Sequence, residues 1–244
     1  MLTRRGISFG AFLQMPRPSM LELSMRLDWR MKLTALIFIL GLTAWAQTGP
    51  PPPGIFFRED WNNKEPFEEV DQGHIANPDL IQTLWGPGGK SVKKRHHGTD
   101  ADPYYIWSGA CPANWAVTLR HRTGYASLTG RSKIRWRTME TGFRRLHVIV
   151  RQAGGTWLVS DESTGASSDW KESEFLVADL HWRKLDIENV LEGPVVEKPD
   201  LSKVDEIGFT DLMRGMLSPP GGSSTASSRL DWIEVHAFFA KRGE

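Results

Sequence analysis

The chain has 244 residues, 40% hydrophobic and 24% charged, a balance that excludes an intrinsically disordered protein. Its formal charge of +1 misleads: residues 1–46 hold six of the 30 bases and two of the 29 acids, leaving 24 bases against 27 acids, a net of −3. That balance speaks against wholesale nucleic-acid binding, and a single cysteine, Cys111, excludes an intramolecular disulfide and a thiolate zinc cluster.

Residues 31–46 read as an export signal. Lys32 supplies charge, residues 33–42 an apolar run, and Ala44-Trp45-Ala46 a small-x-small cleavage site. The run is shorter than the roughly 20 residues a membrane-spanning helix needs. The expected organisation is a leader over 1–46, with 1–30 an upstream extension and the functional start at Met31 or Met25. A Pro-rich linker over 47–54 and one β domain over 55–240 follow, with no membrane span in the mature form.

From Ile55 onward, short alternating segments are bounded by Gly, Pro, Asp and Ser, with little 3.6-residue periodicity. Strands are expected at residues 55–59, 104–107, 115–121, 133–139, 145–151, 156–160, 170–177, 184–187, 204–209 and 230–238, and one helical turn at 79–85. Thr141-Gly142 joins two strands, Ala153-Gly154-Gly155 closes a hairpin, and the Ser-rich stretch 218–228 reads as flexible. Many short strands without alternating helices predict an all-β, antiparallel β-sandwich of the jelly-roll kind.

Side-chain alternation places Ile134 and Trp136 opposite Lys133, Arg135 and Arg137, and Leu146, Val148 and Val150 opposite Arg145, His147 and Arg151. Were these strands neighbours, Arg and His would stripe one sheet face. Such a stripe is either a solvated outer face or a site for an anionic ligand.

The segment Asp200-Leu201-Ser202-Lys203-Val204-Asp205-Glu206-Ile207-Gly208-Phe209 and the closing Leu230-Asp231-Trp232-Ile233-Glu234-Val235 resemble the galactose-binding-like β-sandwich group. So do Asp169-Trp170-Lys171-Glu172 and the opening Phe56-Arg58-Glu59-Asp60-Trp61. Within it the chain is most similar to CIA30-type and carbohydrate-binding-module domains. The resemblance covers about residues 55–238. It implies that the strands at 204–209 and 230–235 are adjacent core members, and that loop-bound calcium would be at home here, with Glu59, Asp60 and Asp231 as candidate ligands.

Residues 90–107 are the richest polar cluster, containing Lys93, Lys94, Arg95, His96, His97, Asp100, Asp102, Tyr104, Tyr105 and Trp107. Adjacent histidines on a strand point to opposite faces, so His96 and His97 favour a ligand rim over a metal chelate. Sugar recognition needs flat apolar rings against the pyranose and planar polar groups for its hydroxyls. Tyr104, Tyr105, Trp107, Trp115 and Trp157 suit the first role, whereas Trp61, Trp136, Trp170 and Trp232 read as packing residues. The candidate ligand-binding set is His96, His97, Tyr104, Tyr105, Trp107, Arg135, Arg137, Arg145, His147 and Trp157.

A glycoside hydrolase would need two carboxylates flanking the bond, with Asp161 and Glu162 as candidates; a polysaccharide lyase would need a base such as His147 or Tyr125. No nucleotide-binding, G-x-S-x-G or H-E-x-x-H motif occurs. The leading expectation is an exported, non-catalytic module binding a poly- or oligosaccharide, including an anionic one, with no nucleic-acid partner. The alternatives are a carbohydrate-active enzyme on the same sandwich and an envelope interaction protein without a sugar ligand.

Overall fold

The computed structural model describes residues 51–63, 68–96, 103–109, 111, 113–212 and 226–242. The leader, the linker before Pro51, His97, Asp100 and Asp102 of the polar cluster and residues 218–225 of the Ser-rich stretch therefore lie outside the described residues. Fifteen strands run in chain order: β1 Ile55–Glu59, β2 Leu80–Trp85, β3 Lys93–Arg95, β4 Tyr105–Trp107, β5 Trp115–His121, β6 Gly124–Ser127, β7 Lys133–Glu140, β8 His147–Gln152, β9 Trp157–Ser163, β10 Lys171–Leu176, β11 Trp182–Asp186, β12 Leu191–Val196, β13 Val204–Asp211, β14 Ser228–His236 and β15 Phe238–Lys241. Among the described residues, only single 3-10 turns interrupt them, at Gln72–His74, Gly89–Ser91 and Val177–Asp179. Among the described residues no helix is long and apolar enough to cross a membrane.

The strands form two antiparallel sheets. The six-stranded sheet runs β10-β7-β14-β4-β3, with β1 sharing an edge of β14; the nine-stranded sheet runs β12-β11-β9-β8-β13-β5-β2, with β6 joining β13 to β15. The protein is an antiparallel β-sandwich, as the strand pattern predicts.

Period-2 alternation decides which residues fill the space between the sheets. Ile134, Trp136, Leu230, Ile233 and Val235 come from the six-stranded sheet, and Val117, Leu119, Val148, Val150, Ile207 and Phe209 from the other. Trp61 and Trp115 set their rings edge-on to Phe209, with centroids 6.1 and 6.0 Å away. The outer side of the nine-stranded sheet is also partly covered, because Ala116, Ile149, Trp157 and Val159 pack with Leu185, Ile187, Val190 and Leu212.

Four expectations need correction. Residues 79–85 do not form a helical turn: Leu80–Trp85 pairs with β5 along six residues, the short apolar run having served a strand equally well. The strands β7 and β8 joined by Thr141-Gly142 are not neighbours, since β7 belongs to one sheet and β8 to the other. The expected Arg/His stripe therefore splits in two. Likewise β13 and β14 are not adjacent; they face each other across the core, Phe209 and Ile233 belonging to one cluster. The β8–β9 hairpin does form, with Gly155 at φ 89° supplying the left-handed turn residue.

One end of the sandwich is closed by buried polar groups. Arg144, 1% exposed, donates Nη1 to Asp211 at 3.2 Å, Nη2 to the Cys111 carbonyl at 2.7 Å and Nε to the Ala226 carbonyl at 3.3 Å. Ser228 Oγ donates to the same Asp211 carboxylate at 3.0 Å. Nearby Glu140, 1% exposed, accepts hydroxyl bonds from Thr138 and Thr164. Burial lifts the Glu140 pKa to about 7, although both hydroxyls pull it down and Asp211 adds a further push upward.

Two predictions follow from this closure. Replacing Arg144 with Leu strands the Asp211 carboxylate, and urea unfolding should show a loss of about 3–5 kcal/mol. Because the Glu140 pKa is raised on folding, its contribution is complete below the unfolded value of 4.5 and is lost as pH rises to about 7. Stability should fall by roughly 1.4 kcal/mol per pH unit across that window, to a ceiling of about 3 kcal/mol. Glu140→Gln should flatten this slope.

Candidate functional site

The outer face of the six-stranded sheet carries the densest set of aromatic rings and guanidinium groups. Along β7, Arg135 and Arg137 alternate with the inward Ile134 and Trp136. On β14 the register slips between Leu230 and Trp232, a β-bulge at Asp231, so that Asp231 and Trp232 both stand outward while Leu230 and Ile233 remain in the core. On β4, Tyr105 and Trp107 flank the inward Ile106; on β3, Lys93 and Arg95 flank the buried Lys94. Lys94 is held by the Asn63 carbonyl and side-chain oxygens, with its ammonium 4.6 Å from the Tyr104 ring centroid.

The arginines lie over the rings. Arg58 sits 4.4 Å and Arg135 5.7 Å from the Trp232 centroid, and Arg137 sits 5.4 Å from Trp170. Arg229 lies 5.8 Å from Tyr105, and Arg95 5.2 Å from Trp107. Tyr105 and Trp170 are themselves in contact, with centroids 5.6 Å apart. Cation–ring stacking holds the charges in place.

The face divides electrostatically. On the β10–β7–β1 side every arginine has an acid: Arg58 and Arg135 share Glu234 at 3.3 Å, Arg135 reaches Glu172 at 3.3 Å, and Arg137 reaches Asp231 at 2.8 Å. Burial lifts the Asp231 pKa to about 6 against the pull of Arg137. Burial also pushes Glu234 upward, but hydrogen bonds from His236 and Arg58 outweigh it and its pKa falls. On the β3–β4 side the pattern changes. Arg95 Nε, Trp107 Nε1 and Arg229 Nε are all buried without a hydrogen-bond partner.

Two depressions open there. One of about 250 Å³ is lined by Arg95, His96, Tyr105, Trp107 and Arg229, with His96 stacked on Tyr104 at 4.5 Å. The other, about 510 Å³, is lined by Lys90, Lys93, Arg95, Trp107 and Cys111 among others. Arg95 and Trp107 form the wall common to both. Among the described residues, no acid lines either depression.

Of the sequence candidates, His96, Tyr105 and Trp107 meet at the smaller depression, with Tyr104 beside His96. Arg135 and Arg137 share the same sheet face on its acid-paired side. Three candidates lie elsewhere. Arg145 is exposed between β7 and β8, beside Gly165. His147 is 2% exposed on β8, its Nδ1 2.8 Å from the Ser160 carbonyl. Trp157 packs against Trp85, centroids 5.5 Å apart, on the outer side of the nine-stranded sheet. Trp115, expected as a stacking platform, is 1% exposed in the core, whereas Trp170 and Trp232, expected to pack, stand on the outer face under Arg137 and Arg58.

The candidate catalytic and metal groups have other occupations. Asp161 pairs with Arg183 at 2.8 Å and Glu162 with the His181 ring at 2.6 Å. Tyr125 lies under Arg242, 4.3 Å from ring to guanidinium. Glu59 accepts backbone N–H groups from Trp61, Ala76 and Asn77 at 2.7–3.0 Å, Asp60 accepts from Asn62 at 3.2 Å, and Asp231 serves Arg137. Among the described residues no three His, Cys, Asp or Glu side chains form a metal-holding group.

No family model matches the chain, and no curated protein matches it. Solved structures do. A family 11 carbohydrate-binding module from Clostridium thermocellum, in complex with a β-1,3-1,4-mixed-linked tetrasaccharide, is 14% identical at a TM-score of 0.45, covering 78% of this chain and 98% of that one. The family 11 module of the cellulosomal cellulase Lic26A-Cel5E of the same organism is 14% identical at a TM-score of 0.43, covering 74% and 100%. A family 29 module variant complexed with cellulohexaose is 12% identical at 0.37, covering 69% and 87%. The chain is similar to these modules in its sandwich architecture, which its own two sheets establish.

Unpartnered donors held among like charges cost stability, and paired ones supply it. Arg229→Met should therefore raise the unfolding free energy by about 1 kcal/mol, whereas Arg137→Met, which strands Asp231, should lower it by about 1–3 kcal/mol. Urea denaturation of the two variants side by side checks the contrast.

Proposed function

We propose that this protein is a non-catalytic carbohydrate-binding module whose ligand lies on the outer face of the six-stranded sheet, along β4. The observation that carries this reading is Trp107, with Arg95 over its ring, at the wall common to two open depressions, backed by the buried Tyr105 under Arg229 and its neighbour Trp170 under Arg137. Trp107 keeps part of its ring accessible, and a flat apolar surface beside planar donors matches a pyranose, which offers C–H groups on one face and hydroxyls at its rim.

A binding role fits the acids as well. Glycoside hydrolysis needs two carboxylates set across the bond, and the carboxylates of this face, Asp231, Glu172, Glu174 and Glu234, are engaged by arginine or lysine. A sandwich that presents a sugar platform is useful outside the cell. The reading therefore includes export on the 31–46 signal, cleavage after Ala46 and a linker over 47–54 leading to the 55–240 domain. Edman sequencing of the protein recovered from the culture medium or envelope should begin at Gln47; an uncleaved N-terminus would remove export from the reading.

Affinity electrophoresis against a panel of soluble polysaccharides tests the binding itself. At least one glycan should retard the protein, and Trp107→Ala should abolish that retardation, a loss of about 1–3 kcal/mol for a stacked ring. Trp157→Ala, on the other sheet, should leave it intact. Equal retardation in Trp107→Ala and the wild type would move the site elsewhere, and no retardation on any glycan would end the proposal.

A further inference from the structure

Resting on that reading, we infer that the bound glycan is anionic, with its carboxylate or sulfate ester taken by Arg95 and Arg229 while its ring lies against Trp107. Three donors point to this ligand. Arg95 Nε, Trp107 Nε1 and Arg229 Nε are all buried, lack a partner and line one depression of about 250 Å³. Buried polar groups in folded proteins nearly always have partners, and a set of three at one place marks acceptors that arrive from outside. Neutral hydroxyls would satisfy the donors singly. They would leave the accumulated charge of Arg95, Arg229, Lys93 and Lys90 without a counter-charge among the described residues that line the two depressions.

The opposite half of the same sheet face supplies an internal comparison. Arg58, Arg135 and Arg137 stack on aromatic rings in the same manner, but each meets a carboxylate within 3.3 Å. One sheet face thus repeats a single device, guanidinium on ring, with the anion built in on one side and left out on the other. A carboxylate or sulfate ester completes the second half as Glu234 and Asp231 complete the first. Carboxylate and sulfate ester share the needed chemistry: several acceptor oxygens on one negative centre, which a guanidinium engages through two parallel bonds. The larger depression, with Lys90 and Lys93 on its rim, would receive the next charged unit along the chain.

Isothermal titration of the purified protein with four oligosaccharide probes and one control decides the matter. The probes are oligogalacturonate, a sulfated chondroitin oligosaccharide, a mixed-linked β-glucan oligosaccharide and xylohexaose; the control is a single-stranded oligonucleotide of equal charge. One anionic glycan should bind at least about tenfold more tightly than either neutral one, and its affinity should fall as salt is raised. Binding confined to oligogalacturonate assigns the carboxylate, and binding confined to chondroitin assigns the sulfate.

Arg95→Gln/Arg229→Gln should lose at least about tenfold in that affinity. Arg95→Lys/Arg229→Lys, which keeps the charge but not the fork, should lose less. Far-ultraviolet circular dichroism and urea midpoints at least equal to wild type keep any loss interpretable. Preference for the neutral probes, or anionic binding unchanged in the Gln variant, would overturn this inference while leaving a sugar-binding module standing. Oligonucleotide binding as tight as the glycan's would overturn it in favour of a general polyanion site. Failure of all four glycans would remove both this inference and the function it rests on.

Discussion

The β4 end of the six-stranded sheet's outer face depends on one buried guanidinium. The ladder between β4 and β14 consists of only two register pairs, Trp107 with Arg229 and Ile106 with Leu230. So short a ladder would not by itself fix β4, and the three-residue β3 beyond it, against β14. Arg144 adds what is missing, because its fork reaches the Cys111 carbonyl beyond β4, the Asp211 carboxylate at the end of β13 and the Ala226 carbonyl before β14. Asp211 in turn accepts from Ser228 at the head of β14, and Ser228 exchanges bonds with Ser108 just after Trp107. A buried ion pair rarely adds much net stability, but it can specify one arrangement among several. Here the arrangement specified is the position of Trp107 against Arg229.

On the proposed reading, stability and recognition are separated across a single sheet face. Along β10, β7 and β1 each arginine has an acid and a ring, so this part contributes order. Along β3 and β4 the rings remain, no acid among the described residues lines the depressions, and Arg95 Nε, Trp107 Nε1 and Arg229 Nε lack acceptors. Folded proteins tolerate such local losses where a ligand later compensates them. The surrounding core supplies the margin: Trp61, Trp115 and Trp136 are all 1% exposed or less and pack where apolar burial is greatest.

The sequence disclosed the sandwich through its alternation. Strand β5 falls at the expected residues, 115–121, and β7 buries every second side chain as its pattern requires. Alternation states which residues share a face; it does not state which strands share a sheet. That is why Arg145 and His147 looked like continuations of Arg135 and Arg137, although β8 lies in the opposite sheet, where Ile149 and Trp157 belong to a second apolar cluster. The short strands β3, β6 and β12 escape sequence reading because three to six residues give too few alternations to separate strand from loop. Arg95 stood within the polar cluster of 90–107, but nothing in one sequence marks its Nε as unpartnered. Arg229 was overlooked because its significance comes from Tyr105, 124 positions earlier in the chain.

The misassignment of Trp232 traces to the bulge in β14. Without it, strict alternation from Leu230 would send Trp232 inward with the core and Ile233 outward, which is how the sequence reads. The extra residue at Asp231 lets Leu230 and Ile233 both face the core while Asp231 and Trp232 face out. It also sits where β14 changes partners along one edge, pairing with β4 at Arg229 and Leu230 and with β1 from Ile233 onward. The bulge therefore marks the seam between the paired and unpaired halves of the face. Asp231 completes the last acid–arginine pair at that seam, and beyond it, from Arg229 to Arg95, the built-in anions stop.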